Sequence, residues 1–465
     1  MQFGGGNFLR GFVDWIIDIY NEKSGTKLGV LVVKPTEQGD YQNWRDQDGL
    51  FHVLTKGIRN GQLVDEQYLV KCISRIVHPY LEWNTFLQSA ENPALRYIIS
   101  NTTESGIRTS PNDLKTDQPP KEFPAKLTLW LHHRYLHFRG AYVAGCVIIP
   151  TELLIDNGDL LKGCILQYAE NWQLEAGFKE WINSANIFCN TLVDRIIPGV
   201  GKDALNDAFH QVGYQDDMIT QGEPYHLWAI EAPESVREEL PLDKIGLNIV
   251  YTEDLTPFRT IKVRILNGAH TAMVPVGYLF GIETVRETVE HEVMGEFVKQ
   301  VLFDEIIPTL DLPMTELQQF GNDVLDRFKN PFIKHYLLSI SLNSISKFKT
   351  RVLPSLLEYQ KRKGVLPKGL VFSFVALIRF YKGEFNNQTI PLNDDPMVIE
   401  FLKQRWKECD GTEAAFYNLV EQILKWEKAW EADLSSIIGL KEMIAQYLIQ
   451  IEKVGMQKTV KSILT

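Results

Sequence analysis

Three polar residues inside one apolar stretch hold most of the chemistry available to this sequence. Residues 258–277 read FRTIKVRILNGAHTAMVPVG, and Lys262, Asn267 and His270 stand among aliphatic neighbours. On a helix advancing ~100° per residue they fall within an arc of about 140°, so they can face one cavity. A partly buried lysine loses proton affinity and can shuttle a proton near neutral pH. An asparagine amide can donate to a carbonyl oxygen as charge develops on it. A histidine can orient the lysine or bind a substrate hydroxyl. The same spacing also suits a helix with scattered solvated residues, and Asn267-Gly268 can read as a turn.

A second cluster lies at the start of the chain. Gly4, Gly5, Gly6, Asn7 and Phe8 run straight into an apolar periodic segment, with Asn7 placed to cap the helix. Glycines at such a junction let backbone approach a pyrophosphate, and a helix N-terminus favours negative charge. The pattern lacks the third glycine of a full dinucleotide fingerprint, and a plain glycine turn is the alternative. The acid expected after the second strand is displaced: the run is Lys34-Pro35-Thr36-Glu37. NAD is the expected cofactor, and Lys34 leaves NADP open.

The elements that must position these residues change character along the chain. Leu28–Lys34, Arg96–Ser100 and Tyr142–Ile149 are near-continuous apolar runs, as in strands covered on both faces. Phe8–Tyr20 has a helical period. Strand, helix, strand in that order predicts a Rossmann-like, doubly wound α/β domain over residues 1–254. After about residue 255, amphipathic patterns predict an all-α domain over residues 255–465. Its helices are expected at Thr284–Phe303, Met314–Phe328, Pro331–Phe348, Pro396–Lys407, Thr412–Ala429 and Leu440–Val454. Gly106–Glu122 reads as an exposed loop.

Composition narrows the class. The 465 residues are 45% hydrophobic and 23% charged, with a net charge of −11. An acidic surface repels phosphate backbones, so nucleic acid is not an expected partner. The five cysteines have no metal or disulfide spacing. The longest apolar runs, Met273–Ile282 and Gly369–Ile378, fall short of the ~18–20 residues that span a bilayer. A cytoplasmic protein without metal or membrane partner is expected, with monomer and homodimer both open.

Lys-x4-Asn-x2-His before a small-residue apolar helix resembles the active-site motif of the polyol-specific long-chain dehydrogenases, the mannitol dehydrogenase family. Gly4–Arg10 (GGGNFLR) is similar to that family's N-terminal motif, and Asn101–Gly106 (NTTESG) to its nicotinamide-side loop. Asn190–Pro198 (NTLVDRIIP) and Glu223–Glu231 (EPYHLWAIE) also match, in order. The resemblance implies NADH-driven reduction of a ketone with Lys262 as general acid. Asn190 and Asn267 would form an oxyanion hole, and His270 would position substrate. Gly4, Gly5, Gly6, Asn7, Phe8, Asn101, Thr102 and Glu104 would hold the cofactor.

The QFGGGNFLRGFVDW opening, the SNTTESGI loop and Asn330–Pro354 resemble the branch acting on D-tagaturonate and D-altronate in hexuronate breakdown. Arginine and acidic positions common in relatives are here replaced near Ser339 and Leu342-Asn343. Lys347, Asn343 and Arg351 are the candidates for holding the substrate, with Lys347 first for its carboxylate. Fructuronate or mannitol as substrate, and a non-catalytic NADH sensor, are the rival readings. Tyr359-x3-Lys363, His132-His133 and His291-Glu292 match other catalytic or metal patterns only in part, and read as solvated or packed residues.

Overall fold

In the computed structural model, which describes residues 1–103 and 105–464, the chain forms two units. The first comprises residues 1–56 and 63–258; the second comprises residues 57–62 and 259 onward.

The strands of the first unit are β1 Gln2–Phe3, β2 Val30–Val33, β3 Phe51–Arg59, β4 Gln62–Val70, β5 Ile73–Val77 and β6 Tyr97–Ser100. They continue as β7 Val147–Pro150, β8 Ile187–Phe188, β9 Asn190–Asp194, β10 Thr220–Gly222, β11 Leu227–Glu231 and β12 Ile249–Thr252. Six of these make one parallel sheet in the order β5-β2-β1-β6-β7-β8. That is the doubly wound order, and its strand order reverses between β1 and β6. Side chains alternate across the sheet as strand geometry requires. Val30 and Val32 enter one core, with Leu9, Phe12 and Ile16 of the first helix. Leu31 and Val33 enter the other, with Leu127, Trp130 and Phe178.

Two small sheets, β10-β3-β4 and β12-β11-β9, adjoin this framework. Neither sheet is among the sequence expectations, although β3 is buried over Phe51–Thr55 and β11 over Leu227–Ile230. The strand expected at Tyr142–Ile149 is also shorter: Tyr142–Ala144 is a 3₁₀ turn and β7 starts at Val147. Tyr142 and Val143 are exposed. The expected loop at Gly106–Glu122 is pinned at its middle, where buried Asp113 accepts hydrogen bonds from Lys121 N and the Tyr168 hydroxyl.

The second unit is built on two apolar helices, Gly268–Phe280 and Lys368–Phe380, buried along almost their whole length. They pack together, and the Ser373 hydroxyl donates to the Ala272 carbonyl at 2.9 Å. The two runs too short to cross a membrane are therefore a paired core. No helix among the described residues is long and apolar enough to cross a membrane.

Several expected helices are broken. Thr284–Phe303 divides at His291, whose ring Nδ1 accepts from Val293 N and so caps the helix that follows. Pro331–Phe348 becomes an irregular stretch, a short helix Leu337–Ile340 and a helix Ser344–Arg351, with Asn343 left-handed between them. Thr412–Ala429 divides at Lys425–Trp426. A hairpin of Glu384–Phe385 and Gln388–Thr389 interrupts the helical pattern. The tip of the β3–β4 hairpin belongs to this unit, where Gly61 N donates to Asp326 at 3.0 Å.

Candidate functional site

The crevice of a doubly wound sheet lies beyond the C-terminal ends of its strands at the point of reversal. Here those ends are Phe3 and Ser100, followed by Gly4–Gly6 and by Asn101–Thr103. Gly4 has φ of +118°, and a Cβ there would stand 2.9 Å from Leu9 Cδ1 and 3.2 Å from the Asn101 carbonyl oxygen. Only glycine fits this turn without strain. A Cβ on Gly6 would meet nothing within 4 Å, so that position faces open space at the helix end.

The helix starts one residue earlier than the sequence predicts. Gly6 is the N-cap, and Asn7 makes no capping bond. Instead Asn7 Oδ1 accepts from Arg10 Nη2 at 2.7 Å and from the Thr220 hydroxyl at 3.2 Å. Arg10 also donates to the Gly5 carbonyl at 2.6 Å, and burial lowers its pKa. The glycine turn is thus braced from its own helix, leaving its first amides without a side-chain cap. Phe8 stacks on Phe12, with ring centroids 4.9 Å apart, and packs toward the core.

The loop after β6 is held by a residue that sequence reasoning missed. Glu152 is buried and accepts from Thr102 N at 2.8 Å, the Thr102 hydroxyl at 2.9 Å and the Ser100 hydroxyl at 3.0 Å. Burial raises its pKa while those hydrogen bonds oppose the rise. Asn101 Nδ2 donates to the Thr151 carbonyl at 3.0 Å. Its neighbour Glu104 lies outside the described residues. Lys34, at the end of β2, is buried, donates to the Thr36 hydroxyl at 3.0 Å and lies 5.0 Å from the Tyr41 ring centre.

The NTLVDRI and EPYHLW segments turn out to be a brace. Arg195 donates to the Gly11 carbonyl at 2.6 Å, to the Glu223 carbonyl at 2.9 Å and to the Thr55 hydroxyl at 3.1 Å. Its guanidinium lies 4.1 Å from the Trp15 ring centre. The first helix is therefore fixed from below by a buried cation.

Asn190, expected in the oxyanion hole, is hydrogen-bonded within the protein. It is buried, and its Oδ1 accepts from Gly158 N at 3.0 Å and Asp159 N at 3.1 Å, at the start of the Asn157–Asn171 helix. Its Nδ2 donates to Asp159 at 3.0 Å and Glu231 at 3.2 Å. Both amide hydrogens are thus engaged by carboxylates of the protein.

In the second unit, the helical reading of the polar trio needs one change. Lys262–Asn267 is a π-turn, followed without interruption by the α-helix Gly268–Phe280. In a turn closed by i→i+5 bonds, residue i+5 returns close to the azimuth of residue i. Lys262 and Asn267, about 140° apart on an ideal α-helix, so move onto one side, and His270 follows at i+3 on the same face. Asn267-Gly268 is helical, and the glycine serves close packing: a Cβ there would lie 3.1 Å from the Arg351 carbonyl oxygen.

Lys262 and Asn267 are half-buried. The Asn267 side-chain amide has no hydrogen-bond partner among the described residues. His270 Nε2 is buried and also without a partner. The His270 ring stacks on Phe328, 4.2 Å between centroids, and meets His335 edge-on at 5.3 Å. Burial, then His335, Arg327, Arg351 and Lys347, push its pKa well below the ordinary imidazole range. The neutral ring thus sits among cations.

Lys347 and Arg351, on the Ser344–Arg351 helix, are brought into this cluster. Lys347 donates to the Ile340 carbonyl at 2.9 Å, and burial and Arg351 lower its pKa while Asp394 opposes. Arg351 is half-buried with no hydrogen bond or ion pair among the described residues, and burial lowers its pKa. Lys349 instead pairs with Glu431 at 2.8 Å. Asn343 is exposed in its left-handed turn and starts that helix. Arg327 and His335 were missed from sequence: Arg327 stands in no motif, and His335 lies inside the Asn330–Pro354 stretch without being singled out. Among the described residues, no group of three His, Cys, Asp or Glu could hold a metal ion.

Comparisons with known proteins agree along the whole chain. The family model "Mannitol dehydrogenase Rossmann domain" matches residues 1–244, and "Mannitol dehydrogenase C-terminal domain" matches residues 254–452. Altronate oxidoreductase of Bacillus subtilis (strain 168) is 46% identical over 461 residues, 99% of this chain and 94% of that protein. Altronate oxidoreductase of Shigella flexneri is 43% identical over 462 residues, 99% of this chain and 96% of that protein. Among solved structures, substrate-free D-sorbitol dehydrogenase superposes with a TM-score of 0.81 at 20% identity, covering 99% of this chain and 94% of its own. Mannitol 2-dehydrogenase of Pseudomonas fluorescens, in complex with NAD and D-mannitol, gives 0.65 at 20% identity, covering 100% and 93%. The chain belongs to the mannitol dehydrogenase family.

Proposed function

We propose that this chain interconverts D-altronate and D-tagaturonate, with NAD as hydride carrier. The observation that carries the reading is the 46% identity to an altronate oxidoreductase over 99% of the chain. The glycine turn at the reversal of a doubly wound sheet supports a dinucleotide in the first unit. Lys34, committed to Thr36 and Tyr41, is not offered to a 2′-phosphate, which favours NAD over NADP.

Bound NADH supplies the hydride. Lys262 donates the proton that the reduced carbonyl oxygen requires, and takes it back in the oxidative direction. Asn267, with its amide uncommitted, donates to that oxygen as charge builds. His270 offers its unpartnered, neutral Nε2 to a substrate hydroxyl. Arg351 and Lys347 are the cations for the substrate carboxylate. Gly4–Gly6 and the bare helix end bind the pyrophosphate, and Asn101 and Thr102 line the nicotinamide side. Asn190 would join Asn267 on the carbonyl oxygen by exchanging its bond to Glu231 or Asp159 for the substrate.

The test is an NADH-oxidation screen over tagaturonate, fructuronate, fructose and fructose 6-phosphate. Tagaturonate should give the highest kcat/KM; a faster fructuronate or fructose would move the chain to another branch. Lys262→Ala should lower kcat for tagaturonate by roughly 10²–10⁴-fold, the usual contribution of a general acid. Undiminished turnover in that variant would end the proton-transfer assignment.

A further inference from the structure

The glycine turn at the crevice of the first unit is gripped by a cation. Arg10 reaches back along its own helix and donates from Nη1 to the Gly5 carbonyl at 2.6 Å and from Nη2 to Asn7 Oδ1 at 2.7 Å. Its guanidinium lies 5.9 Å from the Trp44 ring centre, and its Nε is buried without a partner among the described residues. Asp14, Tyr41 and Asp216 act on it from a distance, yet among the described residues it forms no ion pair. Those two carboxylates are committed elsewhere. Asp14 accepts from Gln2 Nε2 at 3.3 Å, and Asp216 from His52 N at 2.7 Å and Gln47 Nε2 at 2.8 Å. A buried cation without a contacting counter-charge is costly, so a turn built around one is short of negative charge.

The bond to Gly5 also sets the direction of the next amide. In a planar trans peptide the carbonyl and the N–H point opposite ways, so holding the Gly5 oxygen toward Arg10 turns the Gly6 N–H away from it. The two glycines differ accordingly in their surroundings. A Cβ on Gly5 would stand 3.0 Å from the Tyr41 hydroxyl oxygen and 3.1 Å from Trp44 Cζ2, whereas one on Gly6 would meet nothing within 4 Å. The Gly6 N–H has no acceptor among the described residues, and it precedes the free N–H groups of the first helical turn. An amide turned outward beside a helix start makes a cradle for an anion. We propose that Arg10 is a positioning residue for the cofactor's diphosphate: it fixes the Gly5–Gly6 peptide with its N–H turned outward, and it adds positive charge that the diphosphate balances. This rests on the reading that the first unit binds a dinucleotide.

The experiment measures Kd for NADH by fluorescence titration, and Ki for ADP and for adenosine against NADH, in the full chain and in Arg10→Met and Arg10→Lys. Arg10→Met should weaken NADH and ADP alike, by roughly ten- to a hundredfold, the range of one hydrogen bond to a charged group. Ki for adenosine, which carries no diphosphate, should stay close to wild type. Arg10→Lys keeps the charge but cannot hold two acceptors in a fork, so its loss should fall between wild type and Arg10→Met. In turnover of tagaturonate, the loss in kcat/KM should fall mainly on KM for NADH. NADH and ADP bound as tightly by Arg10→Met as by wild type overturns the proposal. So does an equal loss for adenosine, which would make Arg10 a general support of the fold. If Arg10→Met gives no cooperative melting transition, Arg10→Lys decides, and an ADP-to-adenosine ratio equal to wild type overturns the proposal. Failure of wild type to bind NADH or ADP ends the dinucleotide reading and this inference with it. Binding of both without reduction of tagaturonate would end only the substrate reading.

Discussion

At the scale of single residues, Asn190 shows how one side chain can be read in two ways. An asparagine in a family motif invites a role in polarising a carbonyl. Here its amide satisfies two N–H groups at the start of the Asn157–Asn171 helix and two carboxylates. Leaving those helix donors buried without acceptors costs about 1–3 kcal/mol. Asn190→Ala should therefore lower stability to urea by that amount and lower kcat by more than about tenfold, a ratio worth ~1.4 kcal/mol. Unchanged kcat with lowered stability would remove Asn190 from the reacting groups. Asn267 differs from Asn190 in being uncommitted, whereas Asn190 must exchange a bond within the protein to reach the substrate.

At the scale of elements, the π-turn at Lys262–Asn267 decides whether the polar trio is a site. Inserting one alanine after Val263 should put Lys262 and Asn267 at i and i+6, about 120° apart on an α-helix, and swing Lys262 off the face shared by Asn267 and His270. A displacement on the order of 1 Å can cost ~10²-fold in rate, so kcat for tagaturonate should fall at least that far. A melting temperature close to wild type would show that the helix pair survived; unchanged kcat would mean the turn is incidental. The glycine turn makes a second contrast. Gly4→Ala, at φ +118° and against Leu9, should cost about 1–3 kcal/mol of stability. Gly6→Ala has room in the protein and should leave the melting temperature nearly unchanged. It would still raise KM for NADH, because its methyl group points into the space proposed for the pyrophosphate.

At the scale of the molecule, each unit has its own hydrophobic core, so unfolding need not be two-state. A ligand confined to one unit stabilises that unit by linkage. NADH at a hundred times its Kd should raise the stability of the first unit by about 2.7 kcal/mol. Calorimetry with and without NADH should show the transition of the β-rich unit moving upward. If neither transition responds, the first unit does not bind the dinucleotide.

The doubly wound domain was legible in the sequence because buried parallel strands write themselves as short β-branched runs, as Val30–Val33 and Val147–Pro150 do. The helical texture after residue 255 was legible for the same kind of reason, since a 3.6-residue period is local. The breaks were not. His291 ends one helix by capping the next, and residues 331–336 have a helical-looking composition without a helix. Composition and spacing fixed which residues could do chemistry: Lys262, Asn267, His270 and the glycine turn all stand in short segments. Tertiary structure alone decided which side chains were free to do it. It bound Asn190 and Arg195 into hydrogen bonds within the protein and, among the described residues, gave Arg351 no ion pair. It also set Arg327 and His335 around His270 from helices and loops distant in sequence. Hydrogen-bond capacity is finite, and whether a polar group has used its share depends on neighbours that spacing along the chain does not reveal.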